Sequence, residues 1–325
     1  MEDLLVTVII PAYNTEETIV KCVNSVRRQS YLNIEVLVIN DGSTDKTLEN
    51  LEMLSSLDSR IKIISTTNKG LSSARNTGIL HSKGSHVCFI DSDDCIDEDY
   101  VAYLVGLIKK YNVRMASCQH RVIINGKVKR DMSLSGESSV ITAKKWSQLV
   151  LERQKVDLSA WGKIYEKSLF KNIEYPVGKL FEDTFTTYKL VAESRKIAVG
   201  SQAKYDYQIR EGSISRSKFS KSSLDLIEAT ENMTYEISLN YPDLQDVAEL
   251  RRCWAYGSVL NSILLGNTYR ECEVTALDLR REMLKRKKVV FSKKNTDIRL
   301  SVAVFILQLG LMPYRYSLIL SKFFN

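Results

Sequence analysis

Four short apolar runs, separated by helix-like segments and each giving way to a polar turn, constrain the fold of this 325-residue chain more than any other feature. Leu4 to Ile10 is a continuous β-branched run ending at Pro11, the pattern of a strand buried on both faces, and Pro11-Ala12-Tyr13-Asn14 reads as the loop after it. Residues 15–30 have helical spacing, with Thr15 placed to cap and Ile19, Val23 and Val26 on one face. Ile34 to Ile39 repeats the strand signature, Asn40-Asp41-Gly42-Ser43 turns the chain, and Asp45 to Leu57 is helical again. Ile61 to Ser65 is a third strand. Gly70-Leu71-Ser72-Ser73 opens a helix to about Leu80, and a fourth strand, Val87 to Ile90, runs straight into Asp91-Ser92-Asp93-Asp94. Each crossover between strands needs a helix to return the chain, so the predicted class is α/β with a parallel, doubly wound sheet. Ligands of such sheets sit at the carboxyl ends of strands, where the acidic and Gly/Ser motifs of this chain fall.

Charge is distributed unevenly. The first 100 residues hold 9 Lys and Arg against 16 Asp and Glu, and the remainder holds 37 against 23. An acidic front with clustered aspartates suits a divalent metal, and a basic back suits an anionic partner. The six cysteines form no CxxC pair and the three histidines no HExxH, so zinc and disulfide frameworks lack support and a reducing cytosol fits best. The apolar run at the N-terminus is too short and wrongly flanked for a signal peptide or a membrane span.

Further along, residues 114–124 and 127–134 predict a hairpin about Asn125-Gly126, residues 142–152 a helix, Lys204 to Arg210 a strand, and most of 221–288 helices. These patterns suggest a nucleotide-binding domain over 1–215 and a mainly helical region over 216–325. Between Arg280 and Arg299 nine Lys and Arg stand against two acids, and the apolar run Leu300 to Met312 follows before Pro313. That run is short for a membrane span. An interfacial helix or helix pair over 280–325, lying on a membrane or joining subunits, fits better.

Val8-Ile9-Ile10-Pro11-Ala12-Tyr13-Asn14, Asn40-Asp41-Gly42-Ser43-Thr44-Asp45, Gly70-Leu71-Ser72-Ser73-Ala74-Arg75-Asn76-Thr77-Gly78 and Asp91-Ser92-Asp93-Asp94, in this order, resemble the family-2 glycosyltransferases of the GT-A fold. Trp161-Gly162-Lys163-Ile164-Tyr165 and Phe181-Glu182-Asp183 are similar to its bacterial capsule and exopolysaccharide members, and the resemblance spans roughly residues 4–215. It implies a GT-A, mostly parallel sheet and an inverting transfer from a UDP-sugar. Asp91-Ser92-Asp93 then corresponds to the DxD element, with Asp93 on Mn²⁺ or Mg²⁺ and Asp91 on the ribose or in the metal shell. Asp41 would accept the uracil N–H, with Pro11, Tyr13 and Asn14 on the opposite wall and Arg75 reaching the diphosphate or ribose.

The same resemblance makes Asp183 the catalytic base, with Glu182 as the alternate, although paired acids at a helix start also serve as caps. Trp161 would stack on an acceptor sugar or pack in the core. Arg210, Ser213 and Ser215 fall in a polar loop that would close over the diphosphate. The acceptor implied is a lipid-diphosphate-linked saccharide at the inner face of the cell membrane, with a homo-oligomer as an option. Two other readings compete. A nucleotidyltransferase would want a Gly-rich phosphate loop after the first strand, and Pro11-Ala12-Tyr13-Asn14 is not one. A non-catalytic, membrane-associated assembly subunit would keep the fold without turnover. Nucleic-acid binding has no motif to support it.

Overall fold

The computed structural model describes residues 4–209, 219–266, 269–292, 295 and 297–323. Two compact units divide the chain, Met1–Trp146 with Lys155–Ser213, and Ser147–Gln154 with Ile214–Asn325.

The first unit begins with β1 (Val6–Ala12), α1 (Ile19–Arg27), β2 (Ile34–Asn40), α2 (Thr47–Leu57), β3 (Ile61–Ser65), α3 (Leu71–His81) and β4 (His86–Phe89). These four strands are parallel and lie in the order β3-β2-β1-β4, so the chain reverses direction of travel across the sheet between β1 and β4. In such sheets ligands bind at that point, beyond the carboxyl ends of the strands. β1 and β2 are buried along their whole length, as their unbroken apolar runs predict.

Two local expectations are corrected. β1 does not stop before Pro11 but continues to Ala12, paired with Asn40. The carbonyl of Ile9 faces β4, and that of Ala12 faces the β2 side, so the nitrogen of Pro11 lies on the β4 side, where β4 has already ended. The proline therefore removes no ladder hydrogen bond. Thr15 does not cap α1 with its side chain; its carbonyl accepts the N–H groups of Thr18 and Ile19, while its hydroxyl is buried without a partner among the described residues.

The rest of the unit comprises β5 (Cys95–Ile96), α4 (Tyr100–Tyr111), β6 (Met115–Ile124), β7 (Lys127–Asp131), β8 (Ser139–Thr142), the start of α5 (Ala143–Leu151), β9 (Lys163–Glu166), α6 (Glu182–Ser194) and β10 (Lys196–Ile209). The hairpin between β6 and β7 turns at Asn125 and Gly126, both at positive φ, as its sequence predicts. Beyond β4 the sheet becomes mixed: β9 is antiparallel to β4 and β6, β10 runs parallel to β6, and β5 closes the order antiparallel to β10. β10 starts eight residues before the predicted strand, because Lys196–Val199 pair with β8 and Ala198 and Val199 with β6.

The second unit is helical, with α7 (Asp225–Asn240), α8 (Gln245–Leu265), α9 (Glu273–Lys285), α10 (Lys287–Val290), α11 (Ile298–Gln308) and α12 (Leu311–Phe323). Ala255, Val259, Leu260, Ile263 and Leu264 of α8 are buried. Among the described residues no helix is long and apolar enough to cross a membrane.

Candidate active site

The loops after β1 and β2 are tied to each other. Asn14, at φ 50°, accepts the Thr44 N–H at 2.8 Å through its side-chain oxygen and donates its own N–H to the Ser43 hydroxyl at 3.1 Å. Asp41 is 3% exposed, and its carboxylate accepts the backbone N–H groups of Lys69 at 3.0 Å and Gly70 at 2.7 Å and the hydroxyl of Thr66 at 3.3 Å. A carboxylate offers about four lone-pair directions, so Asp41 keeps little capacity for a further donor and acts first as the anchor of the 66–70 loop. Gly42 is required beside it: its φ is +74°, and a Cβ there would stand 2.8 Å from the nitrogen of Asn68. Pro11 is buried in β1, and Tyr13 presents a ring that is 48% exposed.

At the end of β4 the four residues Asp91 to Asp94 divide their tasks by burial. Asp91 and Asp93 are half-buried, and Ser92 is buried. Asp94 is 1% exposed and holds β10, accepting the Tyr205 hydroxyl and the Gln208 N–H, each at 2.7 Å. The Tyr205 hydroxyl in turn accepts the Asp91 N–H at 3.1 Å. Burial first, then the charges of Asp91 and Asp93, push the Asp94 carboxyl well above the ordinary carboxylate range. Accepting both donors, Asp94 anchors β10 to this turn.

Arg75 links this turn to the acidic pair of α6. A side chain at Gly78 would collide with Ile9, so the bare glycine lets α3 lie directly on β1. One turn earlier on the same face, Arg75 enters the interior. Its guanidinium, 3% exposed, donates from Nη2 to Asp91 Oδ1 at 3.0 Å and from Nη1 to Glu182 Oε1, and lies 5.4 Å over the ring of Tyr175. Arg75, expected at the diphosphate or ribose, has protein carboxylates as partners of both terminal nitrogens here, which is what a buried cation requires. Asn76 completes the joint by donating to the Tyr175 carbonyl at 2.8 Å and accepting its N–H at 3.0 Å.

Phe181, just before α6, adopts φ 59° and ψ 36°, a left-handed conformation that is uncommon for a bulky residue and is found at functional sites. Glu182 follows and bonds Arg75. Asp183 accepts the N–H of Thr184 at 2.6 Å and its hydroxyl at 3.2 Å instead of capping the helix in the ordinary manner. Burial, followed by the neighbouring charge of Glu182, pushes the Asp183 carboxyl up to about 7, against the opposing pull of Arg75. A carboxyl with that affinity for protons suits proton transfer near neutrality.

Trp161 bridges Phe89 at the end of β4 and stacks on Tyr205, with centroids 4.5 Å apart, and on Tyr207 at 5.5 Å; the edge of His120 meets it at 5.0 Å. One indole face is thus already covered by the protein, and the residue remains half-buried. Arg210, Ser213 and Ser215 lie outside the described residues. Sequence reading missed Tyr175 and the anchoring function of Asp94, and gave Tyr205 only as part of a strand. Only the alternation of Tyr205 with Tyr207 in a strand-like segment signalled that both rings share a face.

Among the described residues no cluster of three or more His, Cys, Asp or Glu side chains could hold a metal by itself. Asp91 and Asp93 nevertheless supply two half-buried carboxylates on one turn. Mg²⁺ and Mn²⁺ sites built from one or two carboxylates and substrate phosphates need no more than that. The donor set therefore fits a cation brought with a diphosphate and does not fit a protein-only cage.

Comparison with known proteins agrees with this geometry. The glycosyltransferase GlyA of Streptococcus pneumoniae serotype 4 is 35% identical over 255 residues, covering 76% of this chain and 37% of GlyA, so this chain spans little more than a third of that relative. An Escherichia coli protein, UDP-Glc:alpha-D-GlcNAc-diphosphoundecaprenol beta-1,3-glucosyltransferase WfgD, is 35% identical over 129 residues, covering 39% of this chain and 50% of WfgD. Residues 1–349 of Staphylococcus aureus TarS, in complex with UDP-GlcNAc, share the fold with a TM-score of 0.70 at 22% identity, covering 95% of this chain and 89% of that one. The expected GT-A architecture is therefore the observed one. The model of glycosyl transferase family 2 matches residues 7–173, across the loops of β1 and β2, the Arg75 helix and the Asp91 turn, and the chain belongs to that family.

Proposed function

We propose that the chain transfers a sugar, with inversion, from a UDP-sugar to a hydroxyl of a lipid-diphosphate-linked saccharide during assembly of a bacterial capsule or exopolysaccharide. The observation that carries this reading is the Arg75 bridge, which holds Asp91 of the donor motif and Glu182 of the acidic pair on one guanidinium. With Glu182 engaged by Arg75, Asp183 is the carboxylate left to act as base. It takes the proton of the acceptor hydroxyl as that oxygen bonds to the anomeric carbon; the bond from that carbon to the diphosphate oxygen breaks, and UDP leaves with the electron pair. Asp93 with Asp91 would hold Mn²⁺ or Mg²⁺, which would supply charge to offset that growing on the departing diphosphate. Asp41 shapes the base pocket through the 66–70 loop, with Tyr13 and Pro11 as its other wall and Ser92 at the turn below the donor. The UDP of the TarS complex and the lipid-linked acceptor in the name of WfgD support the donor and acceptor classes. An acceptor of this kind brings the enzyme to the inner face of the cell membrane.

The test is UDP release from a panel of UDP-sugars with Mn²⁺ or Mg²⁺, for the wild type, Asp93→Ala and Asp183→Asn, with and without a lipid-diphosphate-linked acceptor. Metal-dependent release from one donor, abolished by Asp93→Ala and unresponsive to acceptor in Asp183→Asn, is the expected result. Release that is unaffected by either substitution sinks the assignment of these residues. Donor binding without release under any condition favours the non-catalytic subunit.

A further inference from the structure

The helices that end the second unit combine an apolar composition with incomplete burial. α11 has one charged residue, Arg299, and packs inward through Leu300, Val304 and Leu307. On its other side Ile298, Val302, Phe305 and Leu309 recur about once per helical turn and are 51 to 76% exposed. On α12, Met312 and Tyr316 are also exposed, 44% and 61%. Single exposed apolar residues are ordinary, but a row along one face of a helix, followed by further exposed apolar residues on the next, marks an interaction surface. A helix that is apolar on all sides is expected to be covered on all sides.

Charge selects what covers it. Arg280 donates to the Leu307 carbonyl at 2.7 Å, which fixes the basic end of α9 against the end of α11. Arg281, Lys285 and Arg299 are 67%, 60% and 87% exposed, paired with Asp278, Glu282 and Asp297 at the surface, and Lys287 and Lys288 are exposed on α10. Between Arg280 and Arg299 nine basic residues face two acids. A second copy of the chain would bring like charge against like charge, whereas anionic lipid headgroups would be attracted. We propose that this face docks on the surface of an anionic lipid bilayer, with the exposed apolar residues of α11 and α12 in the boundary between headgroups and acyl chains and the basic residues against the headgroup phosphates. The helices lie in the interface instead of crossing it, consistent with their length. This goes beyond the transfer reaction, and its readout needs no turnover, so the two readings fail separately.

The experiment is sedimentation of the full chain with vesicles of phosphatidylcholine alone or mixed equally with phosphatidylglycerol, without donor or acceptor. Binding to the anionic vesicles is expected to be at least about tenfold tighter than to neutral ones and to weaken in about 0.5 M salt. Phe305→Glu with Leu309→Glu should lower that affinity by about tenfold or more, and Lys287→Glu with Lys288→Glu should remove most of its salt dependence. All four positions are exposed, and an unchanged melting curve verifies that each variant is folded. Equal binding to both vesicle types would overturn the proposal, as would unaltered binding by the Phe305/Leu309 variant. Self-association of the wild type that this variant abolishes, without vesicle binding, would assign the face to a second copy and overturn it too.

Discussion

In the first unit Asp41, Arg75 and Asp94 are 1 to 3% exposed, whereas in the second Ile298, Phe305 and Leu309 are 61 to 76% exposed. Each group runs against the usual distribution of charge outside and apolar surface inside. In the first unit every such charge has partners: Asp41 holds a loop, Asp94 holds β10, and Arg75 joins two carboxylates. Their burial fixes the relative positions of loops that come from distant parts of the sequence. In the second unit the apolar row stays exposed among the described residues. The contrast teaches that buried charge here holds distant loops together, whereas exposed apolar surface is the feature on which the bilayer proposal rests.

The strongest attack on the first half of that contrast is Asp183→Asn. If the buried carboxyl is the base, kcat should fall by about 10²- to 10⁴-fold with donor affinity nearly unchanged, measured by UDP release and by UDP titration. The pH profile sharpens the point. Burial disfavours the charged form, so Asp183 keeps its proton up to about 7 and the base-competent carboxylate appears as pH rises. Turnover of the wild type should therefore climb through about pH 7, a limb that Asp183→Asn should lack. A flat wild-type profile would show that this ionisation does not govern transfer.

Arg75→Met comes next. It leaves Asp91 and Glu182 facing each other without their shared cation, and breaking a buried pair by removing one partner costs about 3–5 kcal/mol. A large fall in melting temperature with loss of turnover is expected. Arg75→Lys keeps the charge without the fork, so it should recover much of the stability but little of the turnover. Full activity in the lysine variant would show that charge alone, and not the two-ended geometry, matters.

Within α11 the two halves of the contrast stand side by side. Leu307 is fully buried, and Leu307→Ala should cost about 2–5 kcal/mol in denaturant unfolding. Phe305→Ser, at a position 61% exposed, should change stability by no more than about 0.5 kcal/mol. Similar losses at both positions would mean that Phe305 is covered in solution.

The first four strands and the β6–β7 hairpin of the first unit were legible because their signals are local. Unbroken runs such as Val8-Ile9-Ile10 announce burial, and Asn125-Gly126 announces its hairpin. β9 was not legible as a strand: Lys163–Glu166 is only four residues long, and its partners, β4 and β6, come from far back in the chain. The extent of β1 past Pro11 depended on where β4 ends, which the run itself does not encode. The site residues fell on the motifs that suggested them, but their partners did not. The ion pairs of Arg75 carried no local signal, since Glu182 lies 107 residues away. Tyr175 carried no motif at all.

Tyr175 supplies the finest test. Its ring lies under the Arg75 guanidinium and packs edge-on against Phe89 at 5.6 Å, while its hydroxyl is buried with no hydrogen-bond partner among the described residues. If the ring supports Arg75 and the hydroxyl contributes nothing, Tyr175→Phe removes an unsatisfied polar group and should be neutral or stabilising by up to about 1 kcal/mol, with turnover unchanged. Tyr175→Ala removes the platform and should destabilise by about 3–5 kcal/mol. If instead Tyr175→Phe alone reduces turnover, the hydroxyl meets a partner that arrives with substrate, and the buried polar groups of this unit then include one reserved for the reaction itself.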